Sequence, residues 1–332
     1  MIRMTTLAAA LFAMVGCQAD YEFVPDNQLA ELPQGSPIGS DHRQDVSTQR
    51  EPVDEVDVLW VIDNSCSMQD DQDNLTEAFP EFMNYFIGLS DLDYHIGVTS
   101  TDMYDSSEGQ GRLREVEGWK WIDRSLPDPI PFFDMMARMG TDGSGDEMGR
   151  AGAYHALTTH KDDWNAGFLR DDALLSIIVI SDERDSSDMD GVDEDVFLDF
   201  IDDVKFEPGM AQYSVVVGPP EGCPTADPGN GYNDLSATVG GIQWSICDNR
   251  WEDMLEELAM YSAGMKKEFY LSAPPVVETI SVFSKEADGT YLDWEKDVDY
   301  LYDATRNSIE FVDYMPPPYT QIVIDYDIER GA

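Results

Sequence analysis

The sequence predicts an α/β protein: a mostly parallel central sheet with helices on both faces, followed by a small C-terminal antiparallel β-unit. Three observations predict it. Short apolar, β-rich runs alternate with longer segments whose apolar residues recur every three or four positions, the pattern of strands and amphipathic helices in turn. Residues 173–180 (ALLSIIVI) are apolar on both alternating faces, as a strand covered on two sides requires. Beyond Pro274 and Pro275 helical periodicity disappears and only strand-length runs remain.

Each element follows from its residues. Residues 58–62 form an apolar strand that runs straight into Asp63-Asn64-Ser65-Cys66-Ser67. Residues 72–89 carry Leu75, Phe79, Phe82, Met83, Phe86 and Ile87 on one helical face, with Pro80 predicting a kink or a later start. Residues 94–99 are a second strand. A long insertion, 102–133, holds Trp119, Trp121, Phe132 and Phe133; 114–122 around Gly118 read as a hairpin, and the aromatics as its internal packing. A glycine-rich turn, 140–145, opens a helix over 147–157.

The central apolar strand at 173–180 ends at Ser181-Asp182-Glu183, and a helix follows over 192–204. Residues 213–217 are a strand and 251–263 a helix ended by Gly264, with 269–271 completing the sheet. Strand-and-helix alternation covers 53–272; the β-rich unit, with strands at 276–283, 307–312 and 321–326, covers 273–332.

Composition bounds the function. The chain has 332 residues, 42% of them apolar, which is ample for a packed core. Its 20 basic and 67 acidic residues give a formal charge of −47. Nucleic acid is therefore excluded as an expected partner, because binding it needs a basic surface that displaces counterions. The acids are spread along the chain and read as a solvated surface.

The N-terminus gives an address. One Arg3 precedes an apolar stretch of about 11 residues, too short to span a bilayer and suited to a signal segment. Met14-Val15-Gly16-Cys17 resembles a bacterial lipobox, with Met14 where Leu is usual. It implies a signal peptide over 1–16, lipidation of Cys17, and export to the cell envelope, with Gln18 favouring the outer membrane. Residues 17–52 are polar and rich in Pro and Gly, and read as a flexible tether after the lipidated cysteine. No later stretch reaches the roughly 18 unbroken apolar residues of a spanning helix, so the lipid is the expected membrane contact.

In an oxidising compartment Cys223 and Cys247, which flank a loop rich in Gly, Pro and Asn, are the natural disulfide. Closing that loop would contribute roughly 3 kcal/mol. Cys66 is left over and reads as a free thiol packed inward, with no basic neighbour in sequence to activate it.

The loop after the first strand carries the chemistry. Asp63, Ser65 and Ser67 place hard oxygen atoms at alternate positions just past a strand's carboxyl end, where open α/β sheets bind ligands and where a small hard cation fits. This Asp-x-Ser-x-Ser pattern resembles the metal-ion-dependent adhesion site (MIDAS) of von Willebrand factor type A (vWA) domains, and the resemblance covers about 54–272. Thr141 matches the family's second-loop threonine and Asp182 its third-loop aspartate. The resemblance implies a Rossmann-like vWA fold and a Mg²⁺ or Mn²⁺ ion held by Asp63, Ser65, Ser67, Thr141 and Asp182. An open position on that ion would take the Asp or Glu carboxylate of a protein ligand. Cys66 and Ser181 depart from the family's usual Gly and Thr without removing a ligand. Segments 182–187, 218–223 and 245–247, with the β-rich tail, are similar to vWA lipoproteins of myxobacterium-like bacteria.

Rival sites lack their chemistry. The acid-rich 185–195 stretch puts Phe197 where an EF-hand needs its bidentate Glu, so loosely bound Ca²⁺ is the most it offers. The 140–145 glycines have P-loop spacing, but Asp146 replaces the Lys. Neither a zinc-protease nor a serine-hydrolase motif is present, so no enzymatic activity is expected. The expected function is adhesion or assembly at the envelope through a Mg²⁺- or Mn²⁺-bridged carboxylate. The alternative is a structural envelope lipoprotein that uses the fold as a scaffold.

Overall fold

The computed structural model describes residues 40–49, 53–89, 92–105, 109–206, 209–304, 306–312, 316–317 and 319–329. The expected signal segment 1–16, Cys17 and the first part of the tether lie outside them. Among the described residues the first strand, β1 (Ser40–Thr48), pairs with the last and belongs to the C-terminal unit; the central sheet begins with β2 (Glu55–Ile62). That sheet adds β3 (Asp93–Ser100), β4 (Trp121–Ile122), β5 (Leu174–Ser181), β6 (Ala211–Val217) and β7 (Gln243–Ser245). Its order is β4-β3-β2-β5-β6-β7, parallel throughout except for the two-residue β4 at one edge. The predicted α/β class is the observed one.

Because β2 is covered on both sides, its alternate residues enter two cores. Val58, Trp60 and Ile62 face α1 (Gln69–Gly88), α2 (Pro129–Ala137) and α6 (Trp251–Ser262). Leu59 and Val61 face α3 (Gly149–Leu157), α4 (Glu194–Asp203) and α5 (Asn233–Val239). Trp60 sits edge-on to Phe82 at 5.3 Å and Phe133 at 5.6 Å. Helix α1 starts at Gln69 and runs through Pro80, whose neighbours Phe79 and Phe82 are both buried against Trp60. Packing on both sides of the proline thus holds a helix that the proline alone would weaken.

The insertion is built into the same cores. Val116 and Trp119 bridge in the tight turn around Gly118, and β4 then joins the sheet edge. Phe133, on the unforeseen α2, is fully buried, and Trp121 packs on His95 and Phe168. These aromatics are packing, as expected.

Two expectations change. Ser40–Thr48, placed in the tether, is a nine-residue strand in register with β13 (Gln321–Glu329). Its sequence, SDHRQDVST, has one aliphatic residue; main-chain pairing makes the strand, so no hydrophobic pattern announces it. Residues 269–271 do not complete the central sheet either. β8 (Glu268–Tyr270) pairs antiparallel with β12 (Ser308–Phe311), which pairs with β11 (Tyr300–Asp303). The central sheet's last strand is instead β7, three residues long and set before α6.

The C-terminal unit therefore has two antiparallel sheets, β11-β12-β8 and a four-stranded one. The second runs β1-β13-β9-β10, with β9 (Ser281–Lys285) and β10 (Tyr291–Trp294). Phe269, Val282, Ile309, Phe311, Ile322 and Tyr326 fill the space between them. Arg306 ties this unit to α6, reaching Glu257 at 3.3 Å and Glu268 at 2.6 Å while lying over Trp244.

Candidate functional site

Parallel pairing sets the strand ends level. Ile62 is in register with Ser100 on one side and Ile180 on the other, so the loops after β2, β3 and β5 leave the sheet side by side. Main-chain bonds weld them: Asp63 N–H donates to the Ile180 carbonyl (3.0 Å) and Thr101 N–H to that of Ile62 (3.2 Å). Asp63 and Asp182 follow directly and both are buried.

The first loop turns tightly about its own aspartate. The Ser65 N–H donates to Asp63 Oδ1 (2.7 Å) and the Ser181 hydroxyl to Asp63 Oδ2 (2.6 Å). Ser65 Oγ and Ser67 Oγ lie 3.3 Å apart, and the Ser67 hydroxyl bonds the Asp182 carboxylate. Ser65 points inward and is buried, whereas Cys66 is free and exposed. This corrects the expectation of an inward thiol: in the turn after β2 the inward position falls to Ser65, which puts its successor outside.

The second loop is docked on the first. Gln72, buried on the first turn of α1, donates through Nε2 to the carbonyls of Asp63 and Gly140, both at 3.0 Å. Gly143 N–H donates to the Asn64 carbonyl, and a side chain at 143 would meet Asn64 Oδ1 at 2.2 Å. Thr141 stands between these two anchor points. The structure thus brings together the loops that carry Asp63, Ser65, Ser67, Thr141 and Asp182.

Sequence reading missed Glu147, just before α3. It is fully buried, accepts a hydrogen bond from the Thr101 hydroxyl, and lies against the carboxyl of Asp63. Among the described residues, no Lys, Arg or His forms an ion pair with Asp63, Glu147 or Asp182. Burial pushes all three carboxyls above the usual range. Glu147 rises to about 9, from burial first and then from the charge of Asp63. Asp63 rises through burial and the nearby Asp182 charge, although Ser181 and Ser65 pull against it. Asp71, on the first turn of α1, is pushed up to about 7 by burial and by Asp182, Asp70 and Asp63.

These donors fit a hard divalent cation. They are all oxygen, several are carboxyls without a basic partner, and buried oxygens of Asn64, Glu147 and Asp182 lack a hydrogen-bond donor. Uncompensated buried acceptors of this kind are costly unless a proton or a cation reaches them. Among the described residues no three His, Cys, Asp or Glu side chains are grouped so that they could hold a metal ion between them. Hydroxyls and water would have to complete the shell, which suits Mg²⁺, an ion that sheds water reluctantly.

The surrounding acids have other partners. Arg150 pairs with Asp185 at 2.5 Å and Asp188 at 2.8 Å, His155 lies beside Asp190, and Asp193 caps α4 by accepting from Val196 N–H. The expected Cys223–Cys247 disulfide is present. It ties the loop after β6 to the turn after β7, and that loop docks beside the site through Asp227 N–H on the Asp182 carbonyl (2.9 Å).

No protein-family model matches the chain, and no curated protein does. Among solved structures it is similar to a von Willebrand factor type A protein from Catenulispora acidiphila, at 10% identity and a TM-score of 0.41. That likeness covers 88% of this chain and 66% of the other. The pilus adhesin SpaC from Lactobacillus rhamnosus GG, in its open conformation, gives the same identity and TM-score, with 89% and 42% covered. The pilus adhesin RrgA from Streptococcus pneumoniae gives 7% and 0.34, with 88% and 59% covered. The chain thus spans less than two thirds of the length of each of these structures.

Proposed function

We propose that this protein binds a partner through a divalent cation held at the carboxyl ends of β2 and β5. Asp63, Ser65, Ser67, Thr141 and Asp182 would hold Mg²⁺ or Mn²⁺, and the ion's open position would accept a carboxylate oxygen from an Asp or Glu of a protein ligand. The observation that carries this reading is the set of buried carboxyls facing one another without a basic partner. A bridging cation also answers the charge problem: a body of formal charge −47 repels an acidic ligand unless a cation stands between them. The role is adhesion or assembly at the cell envelope, with Cys17 as the lipid-bearing anchor at the outer membrane. No catalysis is proposed.

Calorimetric titration of Mn²⁺ and Mg²⁺ into the full chain tests the reading, with Asp63→Ala alongside. One saturable site in the wild type, weakened at least a hundredfold in Asp63→Ala, is the expected result. Many weak sites indifferent to Asp63 would sink it and favour the second reading, an envelope scaffold. That second reading draws on the self-satisfied bonding of Asp63 with Ser65 and Ser181.

A further inference from the structure

Where α6 meets the C-terminal unit, two largely buried carboxyls share a single guanidinium. Glu257 comes from α6, Glu268 from β8 and Arg306 from the turn before β12, and their side chains are 13%, 5% and 12% exposed. Arg306 lies 3.3 Å from Glu257 Oε2 and 2.6 Å from Glu268 Oε2. Both Glu268 oxygens have donors, since Ser308 bonds Oε1 and the Tyr270 hydroxyl stands 3.2 Å from Oε2. Glu257 is left incomplete: Trp244 Nε1 donates to its Oε2 at 2.6 Å, but its Oε1 is buried without a donor. The two carboxyls lie against each other, and burial, then the charge of Glu257, pushes Glu268 well above the usual carboxylate range. The other charges around them are engaged elsewhere. Lys267 pairs with Glu310 at 2.8 Å and also feels Glu256; Arg250 pairs with Asp248 at 2.7 Å and also feels Asp253 and Asp303. Lys266 lies over the Tyr261 ring at 5.4 Å. With both carboxyls ionised, this joint is one positive charge short, which is costly away from water. A small cavity borders both carboxyls and is lined also by Tyr261, Met265 and Tyr270.

We propose that a proton shared by Glu257 and Glu268 completes this joint, so that Arg306 latches the C-terminal unit onto α6 in a pH-dependent way. With the proton in place, the pair carries one negative charge, which Arg306 neutralises, and Glu257 Oε1 gains its hydrogen bond. When the proton leaves, two carboxylates face one guanidinium and push α6 and β8 apart. The sign follows from where the proton is held. The unfolded chain releases it at roughly pH 4, the folded joint only at higher pH, so docking is firm at low pH and weakens as pH rises through the folded value. The latch needs no metal ion and is independent of the cation-binding reading above.

Amide hydrogen exchange of the full chain tests this, read as protection factors for α6, β8 and β12 at about pH 5 and about pH 9, with β3 as the control strand. In the wild type the joint should lose at least about tenfold in protection between those limits while β3 keeps its own. Glu257→Gln sets an N–H where Oε1 lacks a donor, keeps an oxygen for Trp244 and Arg306, and removes one charge. Its joint should stay protected at both pH values. Wild-type protection that does not change with pH overturns the latch. So does a loss shared equally by β3, which would mean that the whole fold loosens. A Glu257→Gln joint as pH-sensitive as the wild type overturns the role of the shared proton.

Discussion

Two buried aspartates stand at opposite ends of strand β2, and they are treated in opposite ways. Asp57, near its start, and Asp63, just past its end, are both 0% exposed. Asp57 accepts from Arg170 Nε at 2.8 Å and from the Arg170 main-chain N–H at 2.7 Å. Lys205 and His95 each stand 3.7 Å away. Burial still raises the Asp57 carboxyl, but Arg170 and Lys205 pull it back. Asp63 has hydroxyl and amide partners and other acids, and no cation. The amino end of the sheet thus pairs its buried aspartate with cations of the fold, whereas the buried carboxyls at the carboxyl end have no such partner among the described residues. It is at this second end that the proposed function places the cation.

Breaking the compensated end should cost most. Arg170→Met strands Asp57 in the core and is expected to lower stability by about 3–5 kcal/mol in urea unfolding, with Mn²⁺ affinity unchanged. A loss below about 1 kcal/mol would mean that Lys205 and His95 suffice, and the contrast would weaken. Asp63→Asn should act in the other direction. In the metal-free protein it removes an uncompensated buried charge while keeping the Ser65 bond, so a gain of up to about 2 kcal/mol is expected. Destabilisation by a similar amount would show that Asp63 is balanced within the fold after all.

The pH dependence follows from the same groups. In the unfolded chain these carboxyls ionise near pH 4, roughly their ordinary value. Folded, Asp71 holds its proton to about 7 and Glu147 to about 9. The folded state then binds more protons than the unfolded one between those limits, so metal-free stability should fall as pH rises from about 5 to 9. Glu147→Gln should flatten the upper part of that fall, above pH 7. An unchanged slope would place the pH dependence in the surface charge.

The smallest expected effect is at the strut between the first two loops. Gln72→Leu removes the amide that spans the carbonyls of Asp63 and Gly140. A loss of about 1 kcal/mol in stability and a several-fold weaker Mn²⁺ site are expected, because the second loop would lose one of its two anchors on the first. If affinity stayed at the wild-type value, the second loop would be shown to need only the Gly143–Asn64 contact.

Much of this was legible in the chain. The apolar runs of β2 and β5 and the loops that end them placed Asp63, Ser65, Ser67 and Asp182 at one end of a parallel sheet, because hydrophobic periodicity is local. The strands that were missed or assigned to the wrong sheet had no such signal. β1 is polar and made by pairing with β13, over 270 residues away. β7 is three residues long, and β8 has strand character but nothing local to say which sheet it joins. Cys66 was misplaced for a similar reason, since sequence spacing does not say which residue of a turn faces in.

The sequence by itself determined the alternation of elements, the double-sided burial of the central strands, the disulfide, and the order of the three loops. All depend on residue type and near neighbours. Only the tertiary structure decided that Ser40–Thr48 and Gln321–Glu329 share one sheet, and that Glu147 stands against Asp63 while Arg170 stands against Asp57. Those depend on which charges the fold brings within a few ångströms, and residues 84 and 113 positions apart carry no mark of it in the chain.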